Sequence, residues 1–429
     1  MVKHSAYKTN PLFKNNTTQG GSHGLIFGLF AYYLMSLAFD GIFRHVLTLI
    51  HMQTLIYARD LIAILTILYF IQEKTNGKVD LLKPVTVGLY ILIVHAVLSL
   101  WLSVPLISVF FSFKIFIGVL YGTALSKTLA ENEAKLAYLF KFIFTISVAG
   151  VFLNYFIGIL PWEGDSFDSA FGSASTTKIW WADGERRIPG FSRSSYSAAG
   201  AIGITGIYWM ASTKSKLSKS IIYIAGCASI NITTSKGMVA AFAAYGLWLL
   251  FTKNTKKNQG IELKFILTLA LLCVIIPVIS ALYDGNPSDI RTVPSFLSSF
   301  WDRISSSWPD TFKQLDKNYG YLLGKGLGGV GIAINISSAN TNKFVPVDNI
   351  FWHAYSVFGL ASLIYFSYAA KTVVGLPKEA PETARQIMAV LAIILAYGIT
   401  SVIFEEAFFS IVFGAILNWP KESQKQLRL

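Results

Sequence analysis

Arginine side chains at the ends of apolar segments carry the clearest chemical signal in this sequence. The stretch "ERRIPGFSRSSYSAAG" leads from a polar region into an apolar one and contains Arg187, Arg193 and Tyr196. A guanidinium group presents a rigid fork of donors that matches phosphate oxygens, and it stays charged. Backbone N–H groups at a helix start also favour anions. This stretch therefore indicates a site for an anionic, phosphorylated ligand.

Two further stretches add cations at helix starts. In "NITTSKGMVAAFAAYG" a tight turn precedes a helix that begins near Lys236, and the amphipathic "SSFWDRISSSW" contains Arg303 and Trp308. The glycine run that follows, "YGYLLGKGLGGVG", lacks the spacing of a phosphate-binding loop. We expect Arg303 and Lys236 to converge with the two arginines of the first stretch on one outward-opening cavity.

A polar pair, Asp348-Asn349, stands at the start of the apolar stretch "VPVDNIFWHAYSVFGL". Aspartate is a good N-cap, so capping alone would explain Asp348. A carboxylate in this place is also suited to accept a proton from a hydroxyl group. His353 lies one helical turn beyond Asn349 and could face the same cavity. The two interpretations of Asp348 stay open at this point, and so do acceptor contact and capping for Glu405 and Glu406.

The composition is typical of a polytopic membrane protein. Of 429 residues, 53% are hydrophobic and 14% are charged, whereas soluble domains have roughly 25% charged residues. Apolar runs of about 20 residues, enough to cross a bilayer, recur along the chain. They predict an all-α fold with twelve spans, near 24–43, 57–73, 85–103, 106–125, 136–160, 195–212, 219–233, 236–252, 264–283, 348–370, 386–404 and 406–419.

Lysines set the predicted orientation. With the N-terminus inside, the lysine-rich short connections all become cytoplasmic, as does the C-terminal tail. Two long outer loops, 161–194 and 284–347, then separate helices 1–5 (1–160), helices 6–9 (195–283) and helices 10–12 with the tail (348–429). Seven of the nine arginines fall outside, where the rule would deplete them: Arg44, Arg59, Arg186, Arg187, Arg193, Arg291 and Arg303. At the interface, Arg44 could pair with Asp40 and Arg59 with Asp60.

Taken together, these stretches resemble the O-antigen ligase and polymerase superfamily. "RIPGFSRSSYSAAG" is similar to its arginine-glycine segment before a span, and "TTSKGMVAAFAAYG" to its Thr-x-Ser-Arg-Gly helix start, with Lys236 where arginine is usual. "LLGKGLGGVG" and "VPVDNIFWHAYSVFG" resemble its glycine-rich loop and polar pair. The resemblance covers roughly residues 185–420. Ligases carry His-Asn at the polar pair, so Asp348-Asn349 resembles the polymerases.

The resemblance implies a GT-C-like membrane glycosyltransferase on the outer face of the bacterial inner membrane. It would join polyprenyl-pyrophosphate-linked oligosaccharide repeat units into a surface polysaccharide, with cations stabilising the departing pyrophosphate. The candidate catalytic residues are Asp348 as general base, Arg187 and Arg303. The candidate substrate-binding residues are Arg193, Lys236, Asn349, His353, Tyr196, Arg44 and Trp308. Besides the lipid-linked saccharides and membrane lipid, a chain-length regulator and a flippase are candidate partners. No cofactor, metal or nucleic acid is implied.

Two alternatives remain. His353 keeps a ligase open, which would transfer the glycan to a lipid A-core or other acceptor. A flippase or other transporter of lipid-linked oligosaccharides belongs to a different class, and it would place its charges in a central cavity reached from both leaflets. Here the charges lie on outer loops and helix starts, which favours the enzyme.

Overall fold

The computed structural model describes residues 17–73, 84–169, 172–182, 184–282, 294, 297–316, 319–336, 346–376 and 380–420. Within these ranges the regular structure is almost entirely helical. The helices are α1 (Thr17–Ala38), α2 (Asp40–Leu49), α3 (Ala58–Glu73), α4 (Pro84–Trp101), α5 (Leu106–Glu131), α6 (Glu133–Ile157), α7 (Ser195–Ser212), α8 (Lys216–Ile232), α9 (Lys236–Phe251), α10 (Lys256–Ala281), α11 (Ser298–Asp302), α12 (Trp308–Leu315), α13 (Gly320–Leu323), α14 (Ile350–Phe358), α15 (Ala361–Gly375), α16 (Pro381–Gly398) and α17 (Ala407–Leu417).

Helices occur at every predicted span, but two of the predicted spans are broken. The segment 24–43 bends by 87° between α1 and α2, and the segment 348–370 is divided between α14 and α15 at Gly359. Among the described residues, five helices are long and apolar enough to cross a membrane, and the bent α1–α2 pair would be a sixth. A membrane protein follows from these helices, whereas the full set of twelve spans stays a prediction.

Close packing of α5 against α17 forms the centre of the bundle. A Cβ atom on Gly122 of α5 would lie 1.9 Å from the Ile411 carbonyl oxygen, and one on Gly414 of α17 would lie 2.0 Å from the Val119 oxygen. Small residues let helix backbones approach this closely in a membrane, where packing drives helix association. The Thr123 hydroxyl also donates to the Gly414 carbonyl at 3.1 Å. This contact fixes where α17 begins relative to α5.

Both predicted outer loops contain regular structure. In the first loop, strand β1 (Ser166–Ser169) pairs antiparallel with β2 (Gly172–Ser175), and β3 (Trp181–Ala182) pairs with β4 (Glu185–Arg186). The second loop holds α11 to α13, with a π-helical turn, Arg303–Ser307, between α11 and α12. Such turns are rare and are frequent at functional sites.

Reporter fusions will test the predicted orientation. Fusions after residues 175 and 320 should behave as exported, and fusions after residues 255 and 429 as cytoplasmic, because the lysine-rich connections stay inside. Paired alkaline phosphatase and fluorescent-protein reporters give opposite signals on the two sides. A cytoplasmic signal from either loop would put the arginines on the wrong side for a ligand that arrives from outside.

Candidate active site

The loop before α7 folds back on itself and brings cations around one indole ring. The Lys178 N–H donates to the Arg193 carbonyl at 2.8 Å, and the Arg187 N–H donates to the Trp180 carbonyl at 3.0 Å. The Lys178 ammonium lies 5.6 Å and the Arg187 guanidinium carbon 5.5 Å from the Trp180 ring centroid. Both are within the range of a cation–π contact.

Tyr196, on the first turn of α7, completes this aromatic group. Arg187 donates a hydrogen bond to the Tyr196 hydroxyl, and its guanidinium carbon lies 5.1 Å from the tyrosine ring centroid. The Trp180 and Tyr196 rings meet edge to face with centroids 5.0 Å apart. Arg187 is therefore held between two aromatic rings.

The break between α1 and α2 anchors the same loop. The Gly41 N–H donates to the Phe191 carbonyl at 3.0 Å, and the Ser192 hydroxyl donates to the Ala38 carbonyl at 3.1 Å. These bonds bring Arg193, the next residue, against the start of α2. The bend between α1 and α2 thus provides the backbone groups that bind the loop before α7, which contains Arg193.

Asp40, at the start of α2, binds two arginines. Its carboxylate lies 2.8 Å from Arg44 Nε and 2.7 Å from Arg59 Nη1, and all three side chains are buried. The expected pair of Arg44 with Asp40 is present. The expected pair of Arg59 with Asp60 is wrong, because Asp60 faces the bundle and binds Lys114 at 3.0 Å.

Arg44, Arg59, Lys178 and Arg193 form what we call the basic cluster. Burial lowers the pKa of Arg193 to about 10, with repulsion from Arg44 in the same direction and Asp40 opposing it. Burial also lowers the pKa of Lys178, and Arg193 adds to this effect. Arg193 Nε is buried without a hydrogen-bond partner. Asp40 and Glu406 compensate these crowded cations only in part, so the basic cluster is suited to bind an anion.

Two acidic residues adjoin the basic cluster where α17 begins. Glu406 Oε2 accepts a hydrogen bond from the Ser197 hydroxyl at 2.7 Å and interacts with Lys178 and Arg193. Glu405, in the 3₁₀ turn Ile403–Glu405 before α17, faces the opposite way. Its Oε1 accepts from the Ile332 N–H at 3.2 Å.

Arg303 and Asp348, which are distant in sequence, form an ion pair on the other side of Glu405. Arg303 Nη2 donates to Asp348 Oδ2 at 2.8 Å, and its Nη1 donates to Ser299. The Asp348 side chain is 35% exposed. Asp348 also lies close enough to Glu405 to interact with its charge. Electrostatic interactions therefore run from the basic cluster through Glu406 and Glu405, the acidic pair, to Asp348 and its partner Arg303.

Asn349, and not Asp348, caps α14. The Asn349 Oδ1 accepts from the Trp352 N–H at 2.8 Å, and its Nδ2 donates to the Ile399 carbonyl at 3.0 Å. The residue is fully buried. The structure therefore gives Asn349 a capping role and leaves the Asp348 carboxylate free of capping, whereas the substrate contact of Asn349 stays a prediction.

Trp308 lies in the core of the structure, and its contact with a ligand stays a prediction. Its side chain is 0% exposed, and its ring meets that of Phe300 at 6.1 Å. The amphipathic segment turns this apolar residue inward. His353 is buried as well, with its ring stacked on Phe116 at 5.7 Å and on Phe404 at 6.0 Å.

Lys236 begins α9 at the same end of the bundle and is exposed. The neighbouring Gly237 packs against Thr400 at the end of α16. Tyr397, one turn earlier on α16, interacts with Glu406 and Tyr196. The start of α9 thus adjoins the acidic pair, and the convergence of Lys236 with the basic cluster stays a prediction.

Sequence reasoning missed Lys178 and left Glu405 undecided. A lysine beside tryptophan in an outer loop is a usable signal, since the positive-inside rule depletes lysine there. Within the described ranges, no group of three or more histidine, cysteine or acidic residues could hold a metal ion.

The long apolar helices, with so little sheet in the described residues, make this a mainly helical membrane protein with a charged site at one end of the bundle. No family model matches the chain, and no curated protein matches it significantly.

Proposed function

We propose that the protein is a glycosyltransferase that polymerises oligosaccharide repeat units carried on a polyprenyl pyrophosphate. The basic cluster carries this proposal. Its cations are crowded, partly desolvated and only partly neutralised by Asp40, as expected of a site that receives a multiply charged anion. A pyrophosphate leaving group gains negative charge as the glycosidic bond breaks, and cations already in place stabilise that charge.

The residues divide by the part of the reaction they serve. Arg193, Arg187 and Lys178 bind the pyrophosphate, and Arg44 supports them from α2. Trp180 and Tyr196 offer ring faces and edges beside this anion site, where a sugar next to the pyrophosphate would lie. Arg303 and Asp348 lie across the acidic pair and serve the acceptor saccharide. Lys236, at the start of α9, is a further candidate for anion contact.

An apolar cleft next to the charged residues supports a lipid-linked substrate. The cleft runs between α4, α5 and α15, and its lining includes Leu92, Leu120 and Tyr365. Phe116 and Phe404 line it too, and both stack on His353. The cleft therefore lies on the Glu405 side of the site. Its apolar lining suits the isoprenoid chain of a substrate whose anionic headgroup the basic cluster would bind.

The proposed reaction takes place on the outer face of the bacterial inner membrane, with both termini cytoplasmic. The donor and the acceptor are both lipid-linked saccharides, and a flippase and a chain-length regulator are proposed partners. A ligase is the second candidate, because His353 lies beside Glu405 at 4.0 Å. The two enzymes differ only in the acceptor, which is a second lipid-linked unit for the polymerase.

The test is a reaction with lipid-linked repeat units extracted from cells of the source organism that lack this protein. Purified protein in detergent should convert these units into a ladder of longer glycans, read by gel electrophoresis after acid release from the lipid. A transporter makes no longer glycan. A ligase lengthens nothing unless a different acceptor is added. The deletion cells themselves should accumulate single-repeat units.

A further inference from the structure

We infer that Glu405 is the general base that takes the proton from the attacking sugar hydroxyl, a role that the sequence predicted for Asp348. The inference rests on the proposed function and names a catalytic residue within it. It comes from the position of the Glu405 carboxylate between the loop at Gly331, α14 and α17. It also comes from the different contacts of the two other candidate bases, Asp348 and His353.

The Glu405 carboxylate is anchored through one oxygen and open at the other. Oε1 accepts from the Ile332 N–H at 3.2 Å and lies 4.0 Å from His353 Nε2. Oε2 has no hydrogen-bond partner in the part of the chain that the structure describes, and the side chain is 25% exposed. A general base needs this arrangement, because one oxygen must be held while the other reaches the hydroxyl proton.

Gly331 makes the anchor possible. Its φ of +68° is a backbone conformation that residues with a Cβ rarely adopt. A Cβ atom at this position would lie 3.1 Å from Glu405 Oε1 and 3.0 Å from His353 Nε2. Only glycine lets the loop approach the two side chains closely enough for the Ile332 N–H to reach the carboxylate.

The two other candidate bases are less well placed. The His353 side chain is only 3% exposed and stacks on Phe116 and Phe404, so its ring is less accessible to an acceptor than the Glu405 carboxylate. Asp348 is accessible and also has a second oxygen, but its Oδ2 is held by the charged Arg303 guanidinium. A neutral backbone N–H holds the Glu405 carboxylate. Asp348 is therefore a positioning residue that orients Arg303.

The charges around Glu405 suit a base at neutral pH. Burial has the largest effect and raises the pKa of Glu405 to about 7. The charges of Asp348 and Glu406 also raise this pKa, whereas the Ile332 N–H and the Lys178 ammonium lower it. A general base works best when its pKa is near the working pH, because both the deprotonated fraction and the proton affinity are then substantial. His353 also faces this carboxylate, from α14.

The step balances as a single displacement. The acceptor hydroxyl oxygen forms a bond to the anomeric carbon of the donor sugar, and the bond from that carbon to the pyrophosphate oxygen breaks. The electron pair leaves with the pyrophosphate towards the basic cluster. The hydroxyl proton moves to Glu405 Oε2, and water removes it after the product leaves.

The experiment measures glycan elongation rates from pH 5.5 to pH 9 with the extracted lipid-linked repeat units. The wild type should gain activity as the pH rises through about 7, where Glu405 becomes deprotonated, and should level off above. Glu405→Gln keeps the size of the side chain but cannot accept the proton, so its rate should fall about 10²–10⁴-fold with little change in KM, and the inflection should disappear. Glu405→Asp should retain part of the rate and the inflection.

Matched variants separate this role from a structural one. Asp348→Asn should reduce the rate less than Glu405→Gln and keep the inflection near pH 7, because Asn349 still caps α14. Asp310→Asn, on the exposed side of α12, should behave as the wild type. Each variant is compared at equal yield and equal unfolding temperature.

Four results would overturn the inference. Wild-type rates in Glu405→Gln, or a retained inflection in that variant, would exclude Glu405 as the base. Loss of the inflection in Asp348→Asn alone would return the role to Asp348. If the wild-type protein elongates no glycan at any pH, the proposed function is contradicted, and so is the catalytic role of Glu405 that depends on it.

Discussion

Replacing Arg193 with alanine is expected to lower glycan elongation by about 10²–10³-fold, the loss typical when one preorganised donor to a developing negative charge is removed. Arg193 is buried beside Arg44 and Lys178, and its Nε has no hydrogen-bond partner in the described part of the chain. Asp40 and Glu406 offset the repulsion only in part, so an anion would stabilise the charge of Arg193. The loss should appear in kcat more than in KM, since the pyrophosphate gains charge as the bond breaks. Initial rates at saturating donor concentration are the measurement.

Two variants control for charge and for folding. Arg193→Lys should recover only part of the rate, because lysine keeps the charge but loses the two-pronged geometry that matches phosphate. Lys313→Ala removes a cation from the exposed side of α12 and should leave the rate unchanged. Removing Arg193 relieves repulsion within the basic cluster, so the variant should fold. Wild-type activity in a folded Arg193→Ala protein would show that the basic cluster does not bind the leaving group.

Replacing Arg385 with methionine is expected to lower the free energy of unfolding by about 3–5 kcal/mol, because the change leaves the buried partner charge of Glu262 uncompensated. The side chains of Arg385 and Glu262 are 2% and 1% exposed, with Nε and Oε1 3.4 Å apart. Arg385 also donates to the Thr252 carbonyl at 3.0 Å, and the Trp248 indole donates to Glu262 at 3.0 Å. This network joins α9, α10 and α16. Denaturant unfolding in detergent micelles gives the free energy.

A second change should reverse most of this loss. Glu262→Gln in the Arg385→Met background removes the remaining charge and keeps an acceptor for the Trp248 indole, and a neutral replacement of a buried ion pair is often well tolerated. Glu382→Gln, on the same helix in an exposed pair with Lys214, should change stability by no more than about 0.5 kcal/mol. Equal stability of Arg385→Met and the wild type would mean that the network contributes nothing to joining the helices.

Hydropathy and charge bias determined the class of protein and the position of most helices. The segment predicted at 195–212 coincides with α7, and 57–73 and 85–103 match α3 and α4 to within two residues at each end. Helix formation in a membrane depends on local apolarity, because each helix satisfies its own backbone hydrogen bonds. A local property can be seen in sequence. The 87° bend between α1 and α2 could not be predicted from the sequence, since it is stabilised by packing against the loop before α7.

The polar pair illustrates the limit for single residues. Aspartate and asparagine cap helices about equally well, so their order in Asp348-Asn349 does not identify the cap. Asn349 is the cap because its extended backbone, with φ −160° and ψ 139°, points its Oδ1 at the Trp352 N–H. Tertiary contacts with Ile399 then bury it. The carboxylate of Asp348 was left for Arg303, a pairing across 45 positions.

Residue types and their placement near helix starts identified Arg187, Arg193 and Arg303 as candidates, because only a few side chains suit a phosphorylated ligand. The sequence also determined that these cations lie in segments of one kind, long polar stretches beside apolar ones. It could not determine how Glu405 would meet Ile332 across 73 positions, nor that Asp40 would take both Arg44 and Arg59. Those contacts depend on how α17 packs on α5 and on the position of the loop before α7. The tertiary structure alone decided them, because charged groups pair according to their distance in space and not their separation along the chain.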